Sequence, residues 1–546
     1  MGTTFVQAVP QTVDRGGAMK KSPQRIDMDI EQAEALLKRV QEALSAEDYR
    51  IIKAMIETIH LLSMSVDEKA ASIRRLLRML FGDKTETLKN VLDRESKSTA
   101  EDKTTDENDK PKLKGHGRNG AADYTGAEKV IVPHQDLKPG DSCPLCPKGK
   151  VYELKDPEVA IRITGKAPLS GTVYYMQRLR CNACGEIFKA APPDGIGDEK
   201  YDAASGAMIA LLKYGSGMPF NRIEGLQQSL GVPLPAATQW EIAEQLGERI
   251  YPVYLELNLQ GAQGDVVYND DTTAKILELM KENNKADAPE RKGIFTTGIL
   301  STSSDRQIAL FYTGRKHAGE NMDDLLKQRQ THLANPIQMC DGLSRNVPKA
   351  FKTILLNCLA HGRRYFVDVA PSFPDECQHV LEALAAVYKN DEIGKQRKLT
   401  PGQRLSFHQQ RSGPIMKKLE TWLEDQLEHN KVEPNSGLGQ AILYMLNHWK
   451  ELTGFLRIKN APLDNNICER ALKKVILHRK NSLFYKTQHG ADVGDLFMSL
   501  IHTCNLNDVN PFDYLVALQE HESELAKHPE NWMPWNYRSQ IDSPDA

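Results

Sequence analysis

The sequence predicts a multidomain protein of the α+β class. Its 546 residues suggest roughly three or four domains of about 150 residues each. Hydrophobic residues make up 40% of the chain, which is enough to form cores. Short β-branched apolar runs between 261 and 372 predict a mixed sheet, and helical periodicity dominates on both sides of it.

The N-terminal region is predicted to be helical after a disordered start at 1–27. Between 28 and 92, apolar residues recur at helical spacing, as at Leu36, Val40 and Leu44. This region fits either a local helical hairpin or a dimerising coiled coil, because its heptads are too short to decide. The residues that follow, 93–113, are almost entirely polar and are expected to form a flexible linker.

Two cysteine pairs predict a zinc-binding, ribbon-like module at 114–192. The pairs are Cys143–Cys146 and Cys181–Cys184, each with CxxC spacing. Four thiolates in two such turns bind one zinc ion tetrahedrally and leave no open position, so the Zn²⁺ is expected to be structural. A redox role is the alternative, but neither pair lies in a βαβ pattern.

Residues 193–260 are predicted to be helical, with a Gly-Val-Pro turn at 231–233. This helical pair fits a helix-turn-helix-like, DNA-binding region, and a plain helical connector fits equally well. The pattern alone does not distinguish the two.

Five apolar runs in 261–372 predict the strands of the sheet. They are VVY, GIFTTGIL, QIALFYTG, IQMCD and TILLNCL. Residues 373–455 return to a helical pattern with many charges, and 456–524 are helical again. The end of the chain, 525–546, is polar and contains several prolines, so it is expected to be a peripheral tail.

Three acidic residues are candidate catalytic groups. Asp270 and Asp341 each follow a predicted buried strand, and Glu469 lies at the start of a predicted helix. Carboxylates brought together in this way can hold two divalent cations, which activate a water or a 3′-hydroxyl and stabilise the leaving oxygen at a phosphodiester. This pattern is typical of enzymes that cut and rejoin nucleic acid. The alternative is that each residue is an ordinary solvated charge.

Basic side chains near these carboxylates are candidate contacts to DNA. The net charge of −3 gives no overall attraction to nucleic acid, so DNA contacts must come from local patches. The candidates are His361, Arg363 and Arg364 after a predicted strand, and Arg470, Lys473, Lys474, Arg479 and Lys480 within a stretch that has no acidic residue. Both groups also fit solvated charge clusters.

The composition argues against a membrane or secreted protein. No apolar run is long enough for a transmembrane helix, and the N-terminus has no apolar segment of the kind found in signal peptides. The nine cysteines, an odd number, are expected to be reduced in a cytoplasm.

The motifs of the second half of the chain match one family. The segments PLDNNICERALKK, RKNSLF and SLIHTCNLNDVNPFDYL lie within 462–515, and NDDT, CDG and CLAHGRRYF precede them. Together they resemble bacterial insertion-sequence transposases of the IS66 type, whose pattern includes P-x-D-N-N-x-x-E-R and an RKNWLF-like segment. The chain departs from that pattern at Leu359, Gly362 and Ser482, where the family has Trp, Ala and Trp.

The resemblance implies a DDE transposase with an RNase H-like α/β catalytic core that a helical insertion at 373–455 interrupts. It assigns Asp270, Asp341 and Glu469 as the catalytic carboxylates, with Asp271 as second choice for the first, and two Mg²⁺ or Mn²⁺ ions as cofactors.

The same resemblance implies partners and a location. The partners are the element's terminal inverted repeats, target DNA, further copies of the chain in a homodimer or larger assembly, and accessory proteins of the same element. The expected location is the nucleoid in a bacterial cytoplasm. The alternatives are a catalytically retired, transposase-derived DNA-binding or scaffold protein, and a metal-dependent nuclease without strand transfer.

Overall fold

The computed structural model describes residues 199–285 and 289–541. Shorter described stretches are 138–142, 149–152, 167–180, 187–191 and 193, with single residues at 49 and 52. The linker at 93–113, and all but those two residues of the helical region at 28–92, lie outside the described residues. The same is true of Cys143, Cys146, Cys181 and Cys184, so the predictions made for these segments stay predictions.

Residues that flank each predicted zinc-binding pair are bonded to one another. Ser142 and Lys150 form an antiparallel bridge around the first pair. Strands β1 (Arg178–Arg180) and β2 (Ile187–Lys189) form a two-stranded antiparallel sheet around the second. Each CxxC sequence therefore falls in the segment that joins two paired stretches.

The region predicted to be helical before the sheet contains three α-helices. They are α1 (Ala203–Ala210), which continues into a π-helical turn at Leu211–Gly215, α2 (Phe220–Ser229) and α3 (Ala236–Gly261). The Gly-Val-Pro turn separates α2 from α3. Gly231 has a φ of +76° there, a conformation that favours glycine.

The central element is a mixed five-stranded sheet. Its strands are β3 (Val266–Thr273), β4 (Phe295–Thr302), β5 (Gln307–Gly314), β6 (Ile337–Cys340) and β7 (Ile354–Asn357). The order across the sheet is β5-β4-β3-β6-β7. Strand β4 runs antiparallel to both β3 and β5, whereas β6 and β7 run parallel to β3. Each apolar run identified in the sequence overlaps one of these strands.

Strand β3 extends beyond its apolar run. The sequence predicted that Asp270 follows a strand, but Asp270 lies within β3, opposite Gly298 of β4. The pairing with β4 continues to Thr273, whereas the parallel pairing with β6 ends at Tyr268. On the polar half of β3, strand pairing therefore comes from the antiparallel neighbour β4 alone.

The remaining helices complete a mixed α+β architecture, with sixteen α-helices in the described part of the chain. Helices α4 (Leu277–Glu282) and α5 (Ala318–Leu326) lie among the strands, and α6 (Leu359–Val369) follows β7. The segment at 373–455 contains α7 (Pro374–Gln396), α8 (Pro401–Arg411), α9 (Gly413–Glu428), α10 (Gly437–Asn447) and α11 (Trp449–Leu452). The last five are α12 (Asn466–Ser482), α13 (Gln488–Leu506), α14 (Pro511–Glu520), α15 (Glu522–Leu525) and α16 (Tyr537–Ile541). Short 3₁₀ turns occupy Ser344–Asn346, Gly454–Leu456 and Pro529–Trp532. None of the helices described is long and apolar enough to span a bilayer.

Two hydrophobic cores lie against this sheet. The larger one contains residues of α1, α3, α12, α13 and α14 together with β3, β4 and β5. The other contains residues of α6, α7, α9 and α10 together with β6 and β7. Because α3 belongs to the larger core, the domain boundary predicted at 260 lies inside that core.

The C-terminal segment is not peripheral, and that prediction is wrong for its described part. Trp532, Met533 and Tyr537 are buried in the larger core. The hydroxyl of Tyr514 donates a hydrogen bond of 2.7 Å to the carbonyl of Trp532. Three isolated large side chains anchor a polar segment here, and single residues of this kind leave no periodic pattern in the sequence.

Helix α13 covers the outer edge of the sheet through a row of polar side chains. Asp495, Ser499, Thr503 and Asn507 recur every fourth residue and share one face. Each accepts a hydrogen bond, between 2.5 and 3.1 Å long, from an amide of β5. Strand β5 is an edge strand, and these bonds satisfy backbone groups that would otherwise be open to another chain.

Candidate active site

Asp270 lies in β3, and Asp341 directly follows its parallel neighbour β6. Strands β3 and β6 pair in register up to Tyr268 and Met339. Asp270 and Asp341 each stand two residues beyond that pair, so both reach the same edge of the sheet.

The candidate carboxylate Asp270 lies within electrostatic reach of the other two. Burial raises the pKa of Asp270 to about 7, and the negative charges of Asp341 and Glu469 add to the rise. The neighbouring Asp271 adds to the rise as well. Like charges gathered in a half-buried place are unfavourable without a cation, so the donor set fits a divalent metal.

Glu469 lies in the first turn of α12, and Asn465 fixes the start of that helix. The side-chain amide of Asn465 donates a 3.1 Å hydrogen bond to the carbonyl of Asn269 on β3. Its backbone N–H points at the sulfur of Cys358, 3.2 Å away. The start of α12 is thus tied both to β3 and to the residue before α6. Sequence reasoning gave Asn465 no role, although the paired asparagines of the PLDNN segment were the available signal.

Helix α12 approaches the sheet closely at Gly298, the residue paired with Asp270. A side-chain carbon at Gly298 would lie 3.1 Å from Leu472 of α12, and the thiol of Cys468 contacts the Gly298 carbonyl at 3.4 Å. A larger residue at this position would push α12, and Glu469 with it, away from Asp270.

Asp341 is held by the chain that follows it. Its Oδ1 accepts a 2.6 Å hydrogen bond from the side chain of Asn346. The next residue, Gly342, packs against α10, because a side-chain carbon there would lie 3.0 Å from both Tyr444 and His448. The helical segment at 373–455 therefore contacts the residue next to a candidate carboxylate.

Asp271 faces away from this group. Only 1% of its side chain is exposed, and its carboxylate lies 2.9 Å from His317 Nδ1 and 3.3 Å from the guanidinium of Arg345. It also accepts a hydrogen bond from Ala318 N at the start of α5, where a negative charge is favourable. Side chains alternate along a strand, so Asp270 and Asp271 lie on opposite faces and Asp270 is the better candidate.

A second possible ligand group adjoins the carboxylates. One donor atom from each of Cys358, His361 and Glu469 lies within 4.8 Å of the others. His361 Nε2 is 3.6 Å from Glu469 Oε1. Both Glu469 Oε1 and His361 Nδ1 are buried and have no hydrogen-bond partner among the described residues. A buried carboxylate oxygen without a partner fits a position that faces a cation. Burial raises the pKa of Cys358 to about 11, so its thiol is protonated at neutral pH in the metal-free protein.

The predicted DNA-contacting residues of α6 lie beside the carboxylates. The guanidinium of Arg364 is exposed and 3.8 Å from Glu469 Oε2. Arg363 is half-buried on the same helix. His361 faces Glu469, a contact that the sequence did not predict. Contact of these residues with DNA stays a prediction.

The predicted DNA-contacting residues of α12 divide into two kinds. Four are exposed along the helix, namely Arg470, Lys473, Lys474 and Lys480. Arg479 is instead engaged with the end of β3, where its guanidinium donates hydrogen bonds to Thr272 and Thr273. Arg479 therefore joins α12 to β3, whereas the other four side chains are open to solvent.

The three departures from the family pattern have structural explanations. Leu359 is fully buried in the smaller core, so that position serves packing. A side-chain carbon at Gly362 would lie 2.5 Å from the sulfur of Met445 on α10, so glycine permits this contact. Ser482 accepts a 2.9 Å hydrogen bond from the buried ammonium of Lys213.

Comparison with known families identifies the family of this chain. A family model described as "Transposase IS66 family" matches residues 200–493, which is more than half of the chain. The chain therefore belongs to the IS66 family of transposases, which is of the DDE type. Membership in this family indicates an enzyme that acts on DNA.

Three curated proteins of Sinorhizobium fredii (strain NBRC 101917 / NGR234) are similar over most of the chain. Uncharacterized protein y4jD is 25% identical over 523 residues, covering 88% of this chain and 97% of that protein. Uncharacterized protein y4qI is 25% identical over 576 residues, covering 95% and 98%. Uncharacterized protein y4hP is 26% identical over 454 residues, covering 75% of each. The names of these three proteins state no reaction. Their similarity shows only that related sequences extend over most of this chain.

Proposed function

We propose that the chain is a DDE transposase that cuts the ends of its insertion sequence and joins them to target DNA. The observation that supports this proposal is the position of Asp270 and Asp341 at one edge of the sheet, with the charge of Glu469 acting on Asp270, inside the segment that matches the family. The strand order β5-β4-β3-β6-β7 supports it, because three antiparallel strands followed by two parallel ones fit the RNase H-like core that the resemblance implies.

The site suits two divalent cations, Mg²⁺ or Mn²⁺. Asp270, Asp341 and Glu469 would hold them, since oxygen ligands suit these ions. The raised pKa of Asp270 and the unpartnered oxygen of Glu469 both support a cation at this place. When bound, such ions lower the pKa of a water or a 3′-hydroxyl and stabilise the leaving oxygen.

The residues of the chain position these carboxylates and the DNA. Asn346 orients Asp341, and Asn465 ties the helix of Glu469 to β3. Arg364 and the exposed cations of α12 offer positive charge to phosphates beside the carboxylates, which fixes the register of a bound strand without reading its sequence.

Recognition of the element ends is assigned to the module at 114–192 and the helices at 193–260. We place one structural Zn²⁺ on Cys143, Cys146, Cys181 and Cys184, and the antiparallel pairing of the residues that flank each pair supports this. Joining two ends requires at least two copies of the chain, for which 28–92 is the proposed contact. Accessory proteins of the element and association with the nucleoid belong to the same proposal.

Nicking of supercoiled plasmid in Mn²⁺ tests the proposal. The native chain is compared with Asp341→Asn and Glu469→Gln, and with Asp305→Asn as a matched control, because Asp305 is exposed in the β4–β5 turn. Loss of nicking in the first two variants alone, with unchanged folding, is the expected result. Equal nicking by all four proteins would overturn the assignment. A native chain that neither nicks plasmid nor joins its own element ends would favour a retired, DNA-binding descendant of a transposase.

A further inference from the structure

Two apolar side chains project into solvent at the end of the helix that carries Glu469. Leu483 and Phe484 follow α12 directly and are 61% and 41% exposed. Leu483 has a φ of +67°, a conformation that is strained for a residue other than glycine. Strain of this kind persists where the surrounding structure imposes it, and it often marks a functional position. We call these two residues the 483–484 tip.

The chain is anchored immediately before and after the tip. Before it, Ser482 is held by the ammonium of Lys213, and Leu483 N donates to the Arg479 carbonyl at 2.8 Å. After it, Tyr485 N donates to the Lys275 carbonyl at 2.9 Å, and the Tyr485 carbonyl accepts from Leu277 N at 2.9 Å. The tip is therefore presented by a fixed backbone.

A stack of rings adjoins the tip, because Tyr485, the residue after Phe484, belongs to it. The ring of His478 lies between those of Tyr214 and Tyr485, with centroids 6.1 and 5.4 Å away. Tyr214 stacks in turn on Phe497, with centroids 5.0 Å apart. Burial lowers the pKa of His478 to about 3, so this ring is neutral and stays within the stack at physiological pH. The two exposed apolar side chains therefore directly precede a residue, Tyr485, whose ring is packed in this stack.

The surface between Glu469 and the tip is positively charged. The exposed side chains of Arg470, Lys473, Lys474 and Lys480 follow the helix, and Lys486 lies just beyond the tip. No acidic residue occurs between 470 and 491. Cations that lead to exposed apolar and aromatic side chains complement a polymer with charged phosphates and flat apolar bases, which is DNA.

The length of α12 fixes where the tip would meet that DNA. Leu483 follows Glu469 by 14 residues. At 1.5 Å per residue, this separates the two positions by about 21 Å along the helix. At 3.4 Å per base pair, a duplex that follows α12 would meet the tip about six base pairs from the phosphate held near Glu469.

We propose that the 483–484 tip inserts against the bases of the element end and unstacks one step, about six base pairs from the cut. The proposal rests on the transposase function proposed above and adds a contact to it. Apolar side chains pushed between base pairs partly unstack them and bend the duplex, and an aromatic ring stacks on an exposed base without regard to its identity.

Fluorescence of 2-aminopurine tests the proposal in the full-length chain. The probe is a duplex of the element's own end, with 2-aminopurine placed singly at successive positions, in Ca²⁺ to support binding without cleavage. We expect the native chain to raise the fluorescence at one position about six base pairs from the cut. The double variant Leu483→Gly, Phe484→Ala should lose this signal and bind the duplex about tenfold more weakly.

Two controls separate the tip from the fold and from catalysis. Leu483→Gly alone relieves the strained φ, so a lost signal in that variant does not come from misfolding. Leu477→Ala removes an exposed side chain from α12 itself and should leave the signal unchanged. Equal fluorescence in the native chain and the double variant, with plasmid nicking intact in both, would overturn the tip alone. A native chain that neither nicks plasmid nor binds the end duplex would overturn both proposals.

Discussion

Replacing Asp270 with asparagine tests whether the carboxylate group is built for cations. In the metal-free protein, burial together with Asp341 and Glu469 raises the pKa of Asp270 from 3.8 to about 7. A group whose pKa is raised in the folded state contributes stability below its unfolded pKa. That contribution is lost as the pH rises through about 7, because the charged form is unfavourable in the fold.

The size of the effect follows from the two pKa values. A rise of this extent corresponds to at most about 4 kcal/mol between pH 4 and pH 8. Remaining contact with water reduces it, so we expect Asp270→Asn to raise the free energy of unfolding at pH 8 by about 2 kcal/mol. At pH 4, where the native carboxyl is protonated in the fold, the variant should change stability little.

Urea unfolding at pH 4, 6 and 8, with EDTA or with Mn²⁺, measures the free energy of unfolding of the native chain and the variant. Mn²⁺ should stabilise the native chain, more strongly at pH 8 than at pH 6, and should stabilise Asp270→Asn much less. Asp271→Asn is the matched control with the opposite expected sign, because Asp271 is buried against Arg345 and His317. The reasoning is refuted if both variants lose equal stability at pH 8 without metal, or if Mn²⁺ stabilises both to the native extent.

Three further predictions concern the frame around the site. Gly298→Val should lower the free energy of unfolding by about 1–3 kcal/mol and reduce plasmid nicking, because the valine side chain would meet Leu472. Adding Leu472→Ala should restore part of the stability in melting assays and part of the activity in nicking assays. Burial raises the pKa of Asp495 to about 8, so stability from this group is present below about pH 4 and is lost as the pH rises through 8. Asp495→Asn should flatten that dependence in urea titrations, and a native-like slope in the variant would contradict it. Cys181→Ser should lower zinc from one ion per chain to none by elemental analysis, and undiminished zinc would refute the four-cysteine site.

The sheet was predictable because its strands are short, apolar and β-branched. The run IQMCD stands out against polar surroundings, and strand β6 covers its first four residues. The position of Asp270 inside β3 was not predictable in the same way. Its neighbours Asp271 and Thr272 are polar, and only the pairing with β4, a contact distant in sequence, keeps them in a strand.

The sequence singles out the candidate carboxylates but not the residues that hold them. Asp341 and Glu469 have local settings that the sequence displays, whereas the contact of Asn465 with Asn269 joins residues far apart in the chain. The row that begins at Asp495 was visible as a four-residue polar period on an apolar helix. Its purpose required knowing that β5 is an edge strand.

The helical segment at 373–455 forms part of the wall of the candidate site. Two glycines permit this, because side-chain carbons at Gly342 and Gly362 would both meet residues of α10. Tyr444 of that helix also packs on Tyr365, with ring centroids 4.5 Å apart. Helix α10 therefore contacts the turn after Asp341 and the helix that carries His361 at once. A displacement of α10 would therefore move the turn after Asp341 and helix α6 together. The positions of the three carboxylates thus depend on the packing of 373–455, a segment that contributes none of them.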